Sequence, residues 1–295
     1  MRQQAKDLSN RSRYLWTDLL EASDILAGRN LRSGAQIIGQ FIEQGFSTRS
    51  AAVPLYDIDR FLKDITAELD SPKTKLFVTF WDQSGKQMLP ARKEFLSKPE
   101  AKVLDVHYHV ADSHALIFAP QIMDFLWDVF EEPPVAFQSL YFEYGSAQGA
   151  HNDTAFVYVD PPNKFVASWI ALEDIEPNTG ELFYYPGSHK IGDQIFCNGR
   201  KTFDSSDEHA SSYSQTLEEF LKGHGLARST FLPRKSDVLF WASDLVHGGS
   251  CHSSHHTRRS LVTHYHPLSA ITPYAKGSRS KPVLTNTGGW VVSAT

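Results

Sequence analysis

His151, Asn152 and Asp153 form an H-x-D at what reads as the entry to a strand. On extended chain, side chains two residues apart share a face, so an imidazole nitrogen and a carboxylate oxygen there can bind one metal ion. Alone the tripeptide decides nothing, since about one H-x-D is expected by chance in a chain of this composition. The context comes from the second half. His247, in DLVHGGS, follows the strand-like VLFWAS run and precedes a Gly-Gly turn, so it can approach the same ion from another direction. Arg258-Arg259-Ser260 then opens the last strong strand, and alternation places Arg258 and Ser260 on one face with Arg259 opposite. A buried guanidinium beside a hydroxyl suits a ligand carboxylate, because the planar fork takes both oxygens at once.

These residues need a scaffold. From about Phe137 the segments 137–144, 154–159, 165–172, 181–185, 237–241 and 260–266 are rich in Phe, Tyr, Val, Trp and Ile, separated in several places by Pro, Asn or Gly. Short strands in series without intervening helices predict an antiparallel sandwich or barrel. The first 135 residues read mainly as helix: 13–27, Ile37 to Gly45, 56–69 with Ile58, Phe61, Ile65 and Leu69 on one stripe, and 120–130. A polar stretch at 191–229, with a short helix at 214–222, is expected to cover a pocket mouth. The chain is expected to be one domain: a helical part at 1–135, a β core at 136–267 and a polar tail at 268–295.

Composition narrows the functions. The 295 residues carry a net charge of -5 without a long basic block, which disfavours nucleic acid or anionic membrane as the partner. No apolar run is long enough for a membrane helix. Cys197 and Cys251 cannot build a disulfide framework and belong to no C-x-x-C, so a reducing compartment, read as the cytoplasm, is expected. No G-x-G-x-x-G and no P-loop motif occurs. A small-molecule substrate is the default expectation, and the oligomeric state is left open.

From about Ile37 to Pro267 the chain resembles the phytanoyl-CoA dioxygenase family of Fe(II)/2-oxoglutarate-dependent oxygenases. The resemblance rests on Trp169-Ile-Ala-Leu-Glu-Asp174, Asn178-Thr-Gly180-Glu-Leu182, Pro186-Gly187-Ser188-His189, Ser236-Asp237-Val-Leu-Phe-Trp241, His247-Gly248 and Arg258-x-Ser260, in the family's order and spacing. It implies a mainly β fold, a double-stranded β-helix of jelly-roll, cupin-like form flanked by N-terminal helices. It also implies His151, Asp153 and His247 as iron ligands, with Arg258 and Ser260 holding the far carboxylate of 2-oxoglutarate and Trp169 beside it. Three ligands on one face leave three positions open, two for the co-substrate and one for dioxygen. Ascorbate is expected as a stimulating reductant, and succinate and CO2 as co-products.

Halogenating relatives replace the ligand carboxylate by a small residue. Asp153 is present here, which favours hydroxylation of an unactivated C–H, with desaturation or ring formation as related outcomes. Two other readings stand beside this one: a noncatalytic ligand-binding member of the fold, or a cupin-like metalloenzyme that does not use 2-oxoglutarate. His189 reads as a structural histidine. His107-Tyr-His109 and His264-Tyr-His266 are strand-spaced pairs that read as core or surface. His252, His255 and His256 read as an exposed loop.

Overall fold

The computed structural model describes residues 14–191, 212–272 and 282–292. Where apolar residues recur at helical spacing, helices form: α1 (Ala22–Ala27), α2 (Ala35–Gln44), α3 (Leu55–Asp70), α4 (Ser113–Ile117), α5 (Pro120–Phe130) and α6 (Tyr213–Gly223). The stripe of α3 buries Ile58, Phe61, Ile65 and Leu69. A left-handed Gly45 ends α2, and a Cβ at that position would fall 2.4 Å from His189 Nδ1. His189 in turn hydrogen-bonds the Ile42 carbonyl at 3.1 Å, the structural role its turn suggests.

Two of the sequence expectations fail in the N-terminal part. The helix expected at 13–27 is broken into a 3-10 turn at Trp16–Asp18 and the short α1, because Leu19 between them is extended. The N-terminal part also contains four strands that were not expected: β1 (Phe46–Arg49), β2 (Phe77–Asp82), β3 (Gly85–Pro90) and β4 (Lys102–Leu104). In β2, Val78 and Phe80 face the core while Phe77 and Trp81 remain exposed, a strand alternation too short to stand out beside the helices.

The remaining strands are β5 (Pro134–Phe142), β6 (Val166–Ala171), β7 (Leu182–Tyr184), β8 (Ser229–Phe231), β9 (Val238–Ala242), β10 (His247–Gly249), β11 (Ser260–Pro267), β12 (Val283–Leu284) and β13 (Trp290–Val291). The large sheet runs β1-β9-β6-β11-β5-β4-β2-β3, with β13 added in parallel beside β5 and β12 paired to β13. The small sheet runs β10-β7-β8. One face of the large sheet packs Tyr141, Phe240, Leu261 and Tyr265 against Phe41, Phe61 and Phe125 of the helices. The other packs Phe142, Trp169, Leu239, Trp241 and Val262 against Leu182 and Tyr184 of the small sheet. This is a mainly antiparallel jelly roll with a helical layer on its outer side, and its two sheets do not close into one barrel.

The segment 154–159 is not a strand. Asp153–Ala155 forms a 3-10 turn instead, because the N–H groups of Phe156 and Val157 turn back to the Asp153 carbonyl at 2.9 and 2.7 Å. The helix expected at 214–222 is α6, whose Tyr213, Leu217 and Leu221 pack with Phe183 and Tyr185 on the outer side of the small sheet, and with Ala150 and Ala155 flanking the H-x-D. Most of the expected cover, 192–211, lies outside the described residues, as does Cys197. Among the described residues no helix is long and apolar enough to cross a membrane.

Candidate metal and carboxylate site

His151 and His247 face each other across an isolated antiparallel bridge, each donating its backbone N–H to the other's carbonyl at 2.9 and 2.8 Å. The bridge needs a close approach of chains. A Cβ on Gly248 would lie 2.5 Å from the Phe183 ring and 2.8 Å from the Gln148 carbonyl, so the residue after the ligand has to be glycine. The two imidazoles are oriented alike. Nδ1 lies 2.8 Å from the Gly149 carbonyl in His151 and 3.0 Å from the Leu245 carbonyl in His247, each two residues upstream. A carbonyl only accepts, so Nδ1 carries a proton in each ring and Nε2 is the nitrogen left to face a metal.

Asp153 stands beside them at the start of its 3-10 turn. Its Oδ1 is 3.6 Å from His247 Nε2. Its Oδ2 accepts from Trp241 Nε1 at 2.6 Å and lies 3.1 Å from His264 Nε2. The turn itself is pinned from below, Thr154 Oγ1 donating to Asp244 at 2.8 Å. One donor atom from each of His151, Asp153 and His247 lies within 4.8 Å of the other two, and all three residues are buried. Two imidazole nitrogens and one carboxylate oxygen that converge in this way are a donor set that fits a divalent first-row metal.

The electrostatics agree with that fit. Burial pushes His151 down to about 3, and the neighbouring His247 pushes the same way, so the ring is neutral. Burial alone would raise the Asp153 carboxyl, but His247, His264 with its hydrogen bond, and His151 hold it well below the usual carboxylate range. The ligand set therefore offers one ionised carboxylate with the neutral His151 ring beside it.

Arg258 lies at the other end of the inner face. Its backbone N–H bonds the Glu143 carbonyl at 2.9 Å, extending the β11–β5 ladder two residues beyond Ser260. The side chain is 2% exposed, donates from Nη1 to Ser260 Oγ at 3.3 Å, and sits 5.5 and 5.6 Å from the Trp169 and Phe142 rings. Burial lowers its pKa to about 10, which leaves the cation intact at neutral pH, while its buried Nε has no hydrogen-bond partner among the described residues. Arg259 points the other way, 3.2 Å from Glu173 and 3.6 Å from Glu143. The structure thus brings His151, Asp153 and His247 together, and separately groups Arg258, Ser260 and Trp169.

Three further residues belong to this region: Trp241, which the sequence offered only as the end of the SDVLFW run, His264, read there as half of a core or surface pair, and Lys102, which was not singled out. Trp241 and His264 contact Asp153. Lys102, half-buried on β4, shares the face of Leu104 and Leu140, because its neighbour Val103 pairs with Tyr141 toward the helical core. Burial lowers the Lys102 ammonium, and Asp153 and His151 lie within its electrostatic reach.

The sequence profile of the phytanoyl-CoA dioxygenase (PhyH) family matches residues 62–260. A mouse (Mus musculus) protein, phytanoyl-CoA dioxygenase domain-containing protein 1, is 23% identical over 261 residues, covering 77% of this chain and 85% of its own. Phytanoyl-CoA dioxygenase 1 of rice (Oryza sativa subsp. japonica) is 31% identical over 137 residues, 44% of either chain. Among solved structures, the non-haem alpha-ketoglutarate-dependent carbocyclase SnoK of nogalamycin biosynthesis superposes with a TM-score of 0.65 at 16% identity, over 90% of this chain and 99% of that one. EctD from S. alaskensis, solved with 2-oxoglutarate and 5-hydroxyectoine, gives 0.58 at 17% identity over 82% and 78% of the two chains. At such identities the structural likeness speaks for the fold.

Proposed function

Because the chain belongs to the phytanoyl-CoA dioxygenase family, we propose that it is a non-haem Fe(II)/2-oxoglutarate-dependent oxygenase that hydroxylates an unactivated C–H of a small-molecule metabolite. The observation that carries this reading is the convergence of His151 Nε2, His247 Nε2 and an Asp153 oxygen, with both histidine tautomers fixed by backbone carbonyls. His151, Asp153 and His247 hold the iron. When bound, iron and 2-oxoglutarate supply the oxidising power, dioxygen being reduced as the keto acid loses CO2 to give succinate.

The chain's own residues do the rest. Arg258 receives the far carboxylate of the co-substrate, its spare N–H groups finding there the acceptors the protein withholds. Ser260 shares that carboxylate, and Trp169 with Phe142 keeps water from it, so each charge-assisted bond contributes more than it would in solvent. Lys102 adds a second cation on the same face. With a single carboxylate among its three ligands the site is able to accept an anionic co-substrate, which a second ligand carboxylate would repel.

The test is anaerobic titration of the Fe(II)-loaded protein with 2-oxoglutarate, followed by admission of oxygen. A visible charge-transfer absorption on titration, then succinate formation abolished by His151→Ala and by Asp153→Ala, supports the reading. Iron binding without the absorption favours a cupin-like metalloenzyme, and absorption without turnover on any substrate favours a binding protein. SnoK is described as a carbocyclase and SnoN as an epimerase on this fold, so hydroxylation is tested by the mass of the product rather than by succinate.

A further inference from the structure

Asp153 reaches toward the metal site with one oxygen and into the large sheet with the other. In the register of that sheet, Trp241 on β9 and His264 on β11 both stand opposite Ala167 on β6. The three form one row on the inner face, large, small, large. Ala167 is fully buried and offers only a methyl group, which leaves a gap between the indole and the imidazole. The Asp153 carboxylate enters that gap from the 3-10 turn. There Oδ2 takes the indole N–H at 2.6 Å and meets His264 Nε2 at 3.1 Å. An ionised carboxylate only accepts, so His264 presents Nε2 as the donor.

We propose that Trp241, Ala167 and His264 form a carboxylate slot whose role is to keep Asp153 a one-oxygen metal ligand. The inference rests on the metal site proposed above. A carboxylate free to rotate can chelate a divalent ion through both oxygens and occupy two positions of its coordination shell. With Oδ2 committed to two donors from separate strands, only Oδ1 is left for the metal, and a three-residue ligand set then leaves three positions for co-substrate and oxygen. Trp241 and His264 are positioning residues, acting through Asp153. Outer partners of this kind typically set metal affinity by about 10–100-fold. The indole N–H does not titrate, so one half of the clamp holds at any working pH.

The experiment measures Mn(II) binding to the full-length protein by electron paramagnetic resonance, and the Fe(II)–2-oxoglutarate absorption under anaerobic conditions. Trp241→Phe keeps the ring and removes the N–H. His264→Leu removes the second donor, and His264→Gln restores one. We expect Trp241→Phe and His264→Leu each to diminish the Fe(II)–2-oxoglutarate absorption, because a chelating Asp153 takes a position the co-substrate needs, and to shift Mn(II) affinity by about 10–100-fold, with His264→Gln recovering most of the change. Metal affinity equal to wild type in Trp241→Phe and His264→Leu overturns the inference. So does an equal loss in His264→Leu and His264→Gln accompanied by a matching fall in melting temperature, which marks a packing role. If wild type itself binds no Mn(II) or Fe(II), the proposed function fails and the inference with it. Variant affinities that match an active wild type overturn the inference alone.

Discussion

Two buried charges, Asp128 in the helical layer and Arg258 at the inner face of the jelly roll, are hidden to a similar degree and treated in opposite ways. Asp128, 6% exposed on α5, accepts from Arg32 N at 3.0 Å and from Ser33 N and Ser33 Oγ at 2.7 and 2.5 Å. Its carboxylate is fully engaged in holding the turn before α2 to the helix. Arg258, 2% exposed, has one long hydrogen bond to Ser260 and an Nε with none. A buried charge is expensive unless its hydrogen bonds are complete. Completeness at Asp128 marks scaffold, and incompleteness at Arg258 marks a place where something else is meant to bind.

The sharpest way to break this contrast is Arg258→Ala. It should raise the KM for 2-oxoglutarate by about two orders of magnitude or more, because two charge-assisted bonds of roughly 1.5–3 kcal/mol each are lost. The melting temperature of the ligand-free protein should hold or rise, and a large fall would show that the guanidinium is structural. Asp128→Ala should do the reverse. Leaving three donors without an acceptor should cost about 2–4 kcal/mol of stability in urea unfolding, with the 2-oxoglutarate KM unchanged.

Histidines refine the contrast. His107 and His266 also have a buried Nε2 without a partner, yet burial lowers them to about 3 and about 4, so both rings are neutral. An orphaned lone pair on a neutral ring, as at His266 where Nδ1 donates to the Pro267 carbonyl at 2.8 Å, costs far less than an orphaned donor on a cation, and both rings read as core. Their titration has a definite sign. The unfolded chain binds protons below about 6.5 while the folded rings do not. Stability is therefore full above that pH and falls progressively toward pH 4. Urea midpoints between pH 7 and pH 4 should show this slope, and His107→Gln should flatten it. The smallest effect is expected of Arg259→Ala, which loses a half-exposed pair with Glu173 and should change the 2-oxoglutarate KM by no more than a few-fold. Equal effects at Arg258 and Arg259 would erase the distinction between the two faces.

The parts of the site legible in the sequence are those fixed by local rules. Alternation gave the opposite fates of Arg258 and Arg259, whereas the Gly-Gly turn expected after His247 is strand β10, whose glycines permit a close approach of chains. The H-x-D was legible as a pair but not as a shape, since 153–155 turns where a strand was expected. The roles of Trp241, Ala167 and His264 were not legible, because they depend on which residues share a row of the sheet. Register between strands distant in sequence is set by packing of the whole face, not by any motif. Lys102 was hidden for a related reason. Its strand has three residues and draws its orientation from β5.

The backbone bridge between His151 and His247 has one further consequence. It is a single reciprocal pair outside any extended ladder that includes His151, joining chain segments far apart in sequence, so it can open without unzipping a sheet. A metal ion at the proposed site would fasten the same two segments a second time, converting a local contact into a cross-link that closes a long loop. Hydrogen exchange at the amides of residues 151 and 247 should then slow with each equivalent of metal added, turning two backbone protons into a gauge of how firmly the molecule is tied shut.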